Sequence, residues 1–296
     1  MKSKLLHIVL FIILGFVIFS FHSCEKEVYD DMGIYKSKIW INGLVPSNDT
    51  VKIYLGTTSG LNSGDIAGYK DNATVKLYVN NFDVAVKLKY HPLSGETEKG
   101  YYYYPRLSSV KTGDSLYFEA WIEGTDFPKV SAGTIIPPTV KIENIDFKTI
   151  PDIDTKVINA DIVLDTTGLF DGDKFFELRI QNYMYSGSQE APDDIARITL
   201  LNDLTLDDEM LWNEHLHSIL IDYSKVRTLD NHLRVGLRIK NGYIKNRLKF
   251  ELRSINKAYY DYFKALDNSS VVNSNIKNGV GIFAGYAKSE RSITVE

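Results

Sequence analysis

The densest group of side chains able to do chemistry is Glu214-His215-Leu216-His217, with Asp207, Asp208 and Glu209 just upstream. On a strand, His215 and His217 would share a face and offer two nitrogens to a metal. The spacing fixes no third ligand and is not H-E-x-x-H, so histidines of a surface hairpin are the simpler reading. Asp165, Asp171 and Asp173 raise calcium, but an EF-hand loop needs D-x-[DN]-x-[DN]-G and a distal Glu. Asp171-Gly172-Asp173 suits a tight turn instead. Gly56-Thr57-Thr58-Ser59-Gly60 places its serine one position off a G-x-S-x-G nucleophile elbow. Gly56, Gly60, Gly64 and Gly68 lie in a loop without the Lys-Ser/Thr of a phosphate cradle. No catalytic residue, metal site or cofactor is expected.

Tyrosine carries more weight. The chain has 19 tyrosines among 296 residues, so rigid amphipathic rings are its most abundant contact chemistry. Tyr102 and Tyr104 of the run Tyr101–Tyr104, with Trp121 and the pair Tyr183 and Tyr185, are the candidate binding residues. The plainer alternative is that these rings pack on neighbouring strands. With 34 basic and 38 acidic residues and no basic block, recognition of nucleic acid through its phosphates is excluded.

The amino terminus reads as an address. Lys2 and Lys4 precede a run from Leu5 to Phe21 that is apolar apart from His7 and Ser20. His22-Ser23-Cys24 follows, which makes residues 1–23 a lipoprotein signal peptide. Cys24, the only cysteine, looks like the acceptor of a bacterial lipobox, whose thiol takes a diacylglycerol before cleavage. Phe21 stands where leucine is usual. The alternative is an uncleaved span, for which this run is at the short limit. Cleavage would remove Lys2 and Lys4 and take the formal charge from −4 to −6. It would leave no thiol for a disulfide or a cysteine-based zinc site. Acyl chains on Cys24 would anchor residues 24–33 as a tether at a membrane. Glu25-Lys26-Glu27 resembles an acidic-rich signal for export to the cell surface, and an ordinary solvated tether is the alternative.

Strand patterns begin at Ile34. Val51, Ile53 and Leu55 alternate, Ala73–Val79 alternates, and Asn80-Asn81 turns the chain back through Val84, Val86 and Leu88. Leu116, Phe118, Ala120 and Ile122 share one face, opposite Tyr117, Glu119 and Trp121. About seven short strands without a helix predict an immunoglobulin-like antiparallel sandwich over 34–136. Pro137-Pro138 marks the boundary to a second β-rich domain over 137–296. There, Phe176, Leu178, Ile180 and Asn182 form one face of a strand and Phe175, Glu177, Arg179 and Gln181 the other. A polar loop is expected over Tyr183–Asp194 and a partly helical stretch over Leu200–Leu216. Asn241-Gly242 predicts a hairpin between strands Leu233–Ile239 and Leu248–Arg253. Tyr259, Tyr262, Phe263 and Leu266 fall at i, i+3, i+4 and i+7, one face of a helix at about 256–266, which Asn256 would cap. Strands at Val280–Tyr286 and Ser292–Val295 close the chain. The fold class is therefore mainly β, with one amphipathic helix near the carboxyl terminus.

Four features together resemble the Bacteroidota lipoproteins grouped as domain of unknown function 4249. They are the Cys24 tether, Ala73-Thr74-Val75-Lys76-Leu77, and Ser131-Ala132-Gly133-Thr134-Ile135-Ile136-Pro137. The fourth is Asn275-Ile276-Lys277-Asn278-Gly279-Val280-Gly281-Ile282-Phe283-Ala284-Gly285-Tyr286, preceded by Tyr259-Tyr260-Asp261-Tyr262. The resemblance implies a non-catalytic outer-membrane lipoprotein, accessory to a TonB-dependent transporter through docking or cargo capture. A surface adhesion or assembly protein, or a surface hydrolase, are the alternatives. The resemblance supplies no catalytic residues.

Overall fold

A computed structural model describes residues 36–295, apart from 60–66, 95–98, 105–109, 154, 168–173, 187–188, 193–209, 214–215, 226–230, 241–245 and 268–272. Cys24 and its tether lie outside the described residues. The chain divides into two compact units, one made of Met1–Ser37 with Ser59–Asp65. The other, Lys38–Thr58 with Ile66–Glu296, holds every element below.

The fold is mainly β. Its frame is an eleven-stranded sheet. Along the main path run β14 (Met210–Asn213), β15 (Ser218–Asp222), β12 (Phe175–Ser186), β17 (Asn246–Ile255), β18 (Val280–Val295), β1 (Ile39–Pro46), β2 (Lys52–Thr57), β7 (Gly100–Tyr103) and β6 (Lys89–Pro92). Two short strands lie off that path, β13 (Gln189–Pro192) on β12 and β3 (Gly68–Tyr69) on β2. A four-stranded sheet, β5 (Asn81–Lys87), β4 (Ala73–Val79), β8 (Ser115–Ile122) and β9 (Val130–Ile135), packs on the β1–β2 wing. A three-stranded sheet, β10 (Lys141–Pro151), β11 (Thr155–Asp165) and β16 (His232–Lys240), packs on the β12–β17 wing.

Period-two alternation sets the layers. In β18 the odd residues face the two sandwich cores: Phe283 joins the first core and Val295 the second. The even residues Ile282 and Ala284 face the helix α1 (Lys257–Asp267) on the opposite side. The residues of the two cores separate at Pro137-Pro138, apart from Ile276 and Phe283. Backbone pairing runs straight through that division, because β1 lies parallel to β18 from Trp40↔Val280 to Pro46↔Tyr286. Gly281 makes this pairing fit. Its φ is +112°, and a Cβ there would come within 1.9 Å of Ile41 O.

Helix α1 forms where its periodicity predicts. Asn256 Oδ1 accepts from Tyr259 N at 2.9 Å, a side-chain cap for an otherwise orphaned donor. Asn256 Nδ2 donates to Thr134 Oγ1 at 2.8 Å, and the same oxygen accepts from Gly285 N at 2.9 Å, which fixes the cap to β9 and β18. Asn213 Nδ2 donates to Phe263 O at 2.9 Å and holds the far end. Tyr259, Tyr260 and Phe263 are buried against Leu220, Ile255, Ile282 and Ala284.

Four sequence expectations are corrected. β16 and β17 do not form the expected hairpin with each other, since β16 pairs with β11 and β17 pairs with β12 and β18; Asn241-Gly242 itself lies outside the described residues. The polar stretch after Tyr183 continues β12 and turns back as β13. Within the stretch expected to be partly helical, Met210–Asn213 is a strand, because its residues pair with β15 and bury Met210 in the core; residues 200–209 and 214–215 lie outside the described residues. The two closing strands are one strand of 16 residues, held throughout by β1 and then β17. No helix among the described residues is long and apolar enough to cross a membrane.

Candidate functional site

On the sheet face opposite the sandwich cores, the β1–β2–β7–β6 wing carries a continuous set of rings. Trp40 on β1 meets Tyr69 on β3 edge to face at 5.0 Å between centroids. Tyr54 on β2 lies 6.4 Å from Tyr69 and 5.7 Å from Tyr101 on β7. Tyr101 lies 5.6 Å from Tyr103, and His91 on β6 touches both at 5.3 and 5.4 Å. Lys52 Nζ stands 5.1 Å from the centre of the Tyr101 ring.

The local sequence explains the arrangement. Trp40 pairs across from Gly56, and a Cβ there would come within 2.5 Å of the indole. The glycine is what lets the indole lie down on the sheet. The five aromatic side chains Trp40, Tyr54, Tyr69, Tyr101 and Tyr103 are half-buried, while His91 and Lys52 are exposed. Burial, then the neighbouring Tyr101 and Tyr69, raise the Tyr54 pKa, so its hydroxyl stays protonated as a donor. Such a platform offers stacking area already fixed in place, with little rotamer freedom left to lose on binding.

The same face carries a charged ladder on β12, β17 and β18. Glu177 pairs with Arg253 and Arg253 with Lys288; one step on, Arg179 pairs with Glu251 and Glu251 with Glu290. Glu177 is fully buried. It accepts from Ser218 Oγ at 2.7 Å, Tyr259 OH at 2.7 Å, Arg179 Nε at 2.5 Å and Arg253 Nη1 at 3.3 Å. Burial works against the Arg253 charge, yet Glu177 and its neighbours still hold its pKa above the ordinary value. The Arg253 guanidinium also lies 4.5 Å over the Tyr286 ring. Burial, with Glu177 beside it, raises the Tyr259 pKa well above normal. Every acceptor site of Glu177 is thus directed at a structural partner, and the cluster pins α1 to the sheet.

The residues singled out in the sequence fare differently. Tyr102 is corrected: it is 2% exposed and offers no surface. Its hydroxyl accepts from Ala73 N at 2.9 Å and donates to Lys70 O at 2.8 Å. Burial pushes its pKa up to about 12, against the Ala73 N–H bond that lowers it. Tyr104 is half-buried against the first core. Trp121 is half-buried on the outer face of the four-stranded sheet, with Lys76 and Lys129 Nζ at 5.4 and 5.3 Å from its ring centre. Tyr183 is half-buried and donates to Gln181 Oε1 at 3.0 Å. The side chain of Tyr185, and Cys24, Glu214, His215, Asp171 and Asp173, lie outside the described residues. His217 sits exposed in the turn before β15 with φ 48°. Asp165 accepts from Thr167 N and Oγ1, bonds that lower its pKa and close a local turn. The structure therefore does not bring the sequence candidates together. The platform is made instead of their neighbours Tyr101 and Tyr103, with Trp40, Tyr54, Tyr69 and His91.

No curated protein matches the chain in sequence. Among solved structures, a β-glucuronidase of Parabacteroides merdae aligns with TM-score 0.23 and 12% identity over 73% of this chain and 23% of that one. The adhesin InvE of Yersinia pseudotuberculosis aligns with TM-score 0.20 and 10% identity over 88% and 61%. The Fcho1 Mu homology domain of Danio rerio, bound to an Eps15 peptide, aligns with TM-score 0.20 and 10% identity over 86% and 92%. The chain thus spans less than a quarter of the glucuronidase and about three fifths of the adhesin. The family described as Domain of unknown function (DUF4249) matches residues 25–292, and the chain belongs to that family.

Proposed function

We propose that this protein is a non-catalytic outer-membrane lipoprotein, anchored through Cys24, that acts as an accessory to a TonB-dependent transporter. The observation that carries the reading is the aromatic platform: linked half-exposed rings, a lysine over one of them, on a sheet face that the sandwich sheets leave uncovered. Tyrosine and tryptophan fixed on a rigid sheet are the residues that dominate binding energy at protein interfaces. The described carboxylates of the charged ladder are engaged: Glu177 by two arginines and Tyr259, Glu251 by Arg253, and Glu290 by two lysines. This favours work through a presented surface over work through an acid–base pair.

The test is purification of the full chain from detergent-solubilised membranes of its own cell. Recovery of a barrel of roughly 100 kDa is expected. The double variant Tyr54→Ser/Tyr101→Ser should lose about tenfold in that recovery. No barrel, or a barrel retained equally by the variant, overturns the docking reading. A mature chain whose Cys24 carries no lipid overturns the anchor.

A further inference from the structure

β10 is an edge strand, paired with β11 on one side and with no strand on the other among the described residues. An open edge offers unpaired N–H and C=O groups to another chain. Two features bound the stretch that can accept a strand. The register on β11 shifts between Ile142 and Asn144, an irregularity that breaks the near end. Pro151, which has no N–H, closes the far end. Between them, residues 144–150 run in unbroken register from Asn144↔Val163 to Ile150↔Val157. Residues 146–151 are all exposed. The exposed large apolar side chains among the described residues are Ile135, Phe147, Ile150 and Ile153, and three of these four belong to β10 or to the turn after it.

The charges along this edge are unequally served. Asp146 stands directly across from Asp161, a like-charge pair. Asp161 has His232 Nδ1 at 2.8 Å and Arg234 Nε at 3.5 Å. Asp146 accepts from Asn144 Nδ2 at 2.9 Å and has no cation paired with it among the described residues. Lys148, exposed on the same face of β10, makes no ion pair or hydrogen bond among the described residues. Phe147 lies on the other face, in line with buried Ile145, and is 38% exposed.

We infer that β10 pairs antiparallel with β10 of a second copy of this chain, about a two-fold axis that passes through Phe147 perpendicular to the sheet. Such an axis keeps the outer faces of both sheets on one side, so opposed residues share a face and the axis must pass through a residue. Centring on Asp146 or on Lys148 would set that charge against its own copy. Centring on Thr149 would set Asp146 against Asp152, and centring on Ile145 would leave both charges against uncharged residues. Centring on Phe147 sets Asp146 against Lys148 twice, Ile145 against Thr149, and Phe147 against its own copy. Phe147 is also the midpoint of residues 144–150, so this register uses the whole regular stretch. The incoming lysine offsets the repulsion between Asp146 and Asp161. A stretch this short buries an area at the low end for stable association, so the dimer forms and dissociates with concentration. The pairing goes beyond the transporter reading and does not depend on it, since it uses a different sheet from the platform.

Two measurements on the full chain test it. Sedimentation velocity in detergent micelles should show a concentration-dependent dimer. Lys148→Asp, which sets Asp146 against an aspartate, should raise the dissociation constant about tenfold or more, and Asp146→Lys/Lys148→Asp should restore it. In membranes of its own cell, Phe147→Cys should cross-link under mild oxidation to a product of twice the chain's mass, since opposed residues of an antiparallel pair lie within disulfide reach. Thr149→Cys, whose copy would lie about 14 Å away along the strand, should give about a tenth as much. The unsubstituted chain, whose one cysteine is Cys24, is the control. Should Phe147→Cys fold poorly, the charge exchange still decides. A monomer at every concentration, no recovery in the double variant, or equal cross-linking at both positions overturns the proposal. So does a cross-link to a protein of different mass, which would make the occupant of the edge another chain. Tyr54→Ser/Tyr101→Ser should leave the dimer unchanged; its loss there would place the contact on the platform and overturn the pairing.

Discussion

Glu177 is the residue whose chemistry differs most from its sequence pattern. Alternation on β12 places it on the outward face with Phe175, Arg179 and Gln181. That face is outward only until α1 covers it, and no local signal says where a helix from residues 257–267 will land. Once covered, the carboxylate is held by Tyr259 from the helix and by arginines from the sheet. Removing one member of such a cluster costs more than the cluster contributes, because the remaining charges stay buried. Glu177→Ala should therefore destabilise by about 3–5 kcal/mol in urea unfolding, and Tyr259→Phe by about 1–3 kcal/mol. Glu290 gives a pH-dependent counterpart. Hydrogen bonds from Lys249 and then Lys288 hold its pKa down to about 2, against an ordinary 4.5. A depressed carboxylate stabilises the fold above its unfolded pKa, and that contribution is lost as pH falls through the folded value. Glu290→Gln should flatten the fall in stability between those two pH values, as read from urea midpoints across an acid series.

At the scale of elements, what was legible followed from period and cap. Alternation in β8 is enough to give its faces: Leu116, Phe118, Ala120 and Ile122 are buried, while Tyr117, Glu119 and Trp121 are half-buried. Asn80 marks the β4–β5 turn, and it adopts φ 55° there. Asn256 caps α1 as expected. Partner choice was not legible. Asn241-Gly242 is a strong local turn signal, yet β16 and β17 bury their apolar faces in opposite layers of one core, which decided their pairing. The platform is not legible for the same reason. Trp40, Tyr54 and Tyr101 sit on three strands whose adjacency depends on pairing, and the run Tyr101–Tyr104 drew attention to Tyr102, whose inward parity buries it. Gly281 tests the pairing that binds the frame. Its positive φ and the 1.9 Å approach of Ile41 O leave no room for a Cβ. Gly281→Ala should cost about 3 kcal/mol or more, seen as a lowered melting temperature.

At the scale of the molecule, composition and alternation made the mainly β class and the helix α1 legible, but not a sheet that runs through both cores. The first core borrows Ile276 and Phe283 from the far end of the chain, and β1 borrows its neighbour β18. Residues 34–136 expressed alone should therefore fail to give a cooperative thermal transition, and adding a peptide of residues 273–295 should restore one. Cooperative melting of the fragment by itself would show the first core to be self-sufficient.

The parallel lie of β1 beside β18 also sets a clock. Ile39–Pro46 is made long before Val280–Val295, so the central hydrogen-bond ladder cannot close until the chain has been made as far as Tyr286. Pairing across so long a separation is slow, because the chain must surrender its freedom before the contact stabilises anything. Until then β1 lacks one of its two neighbours, and the sixteen-residue strand β18 acts as the latch that ends that interval.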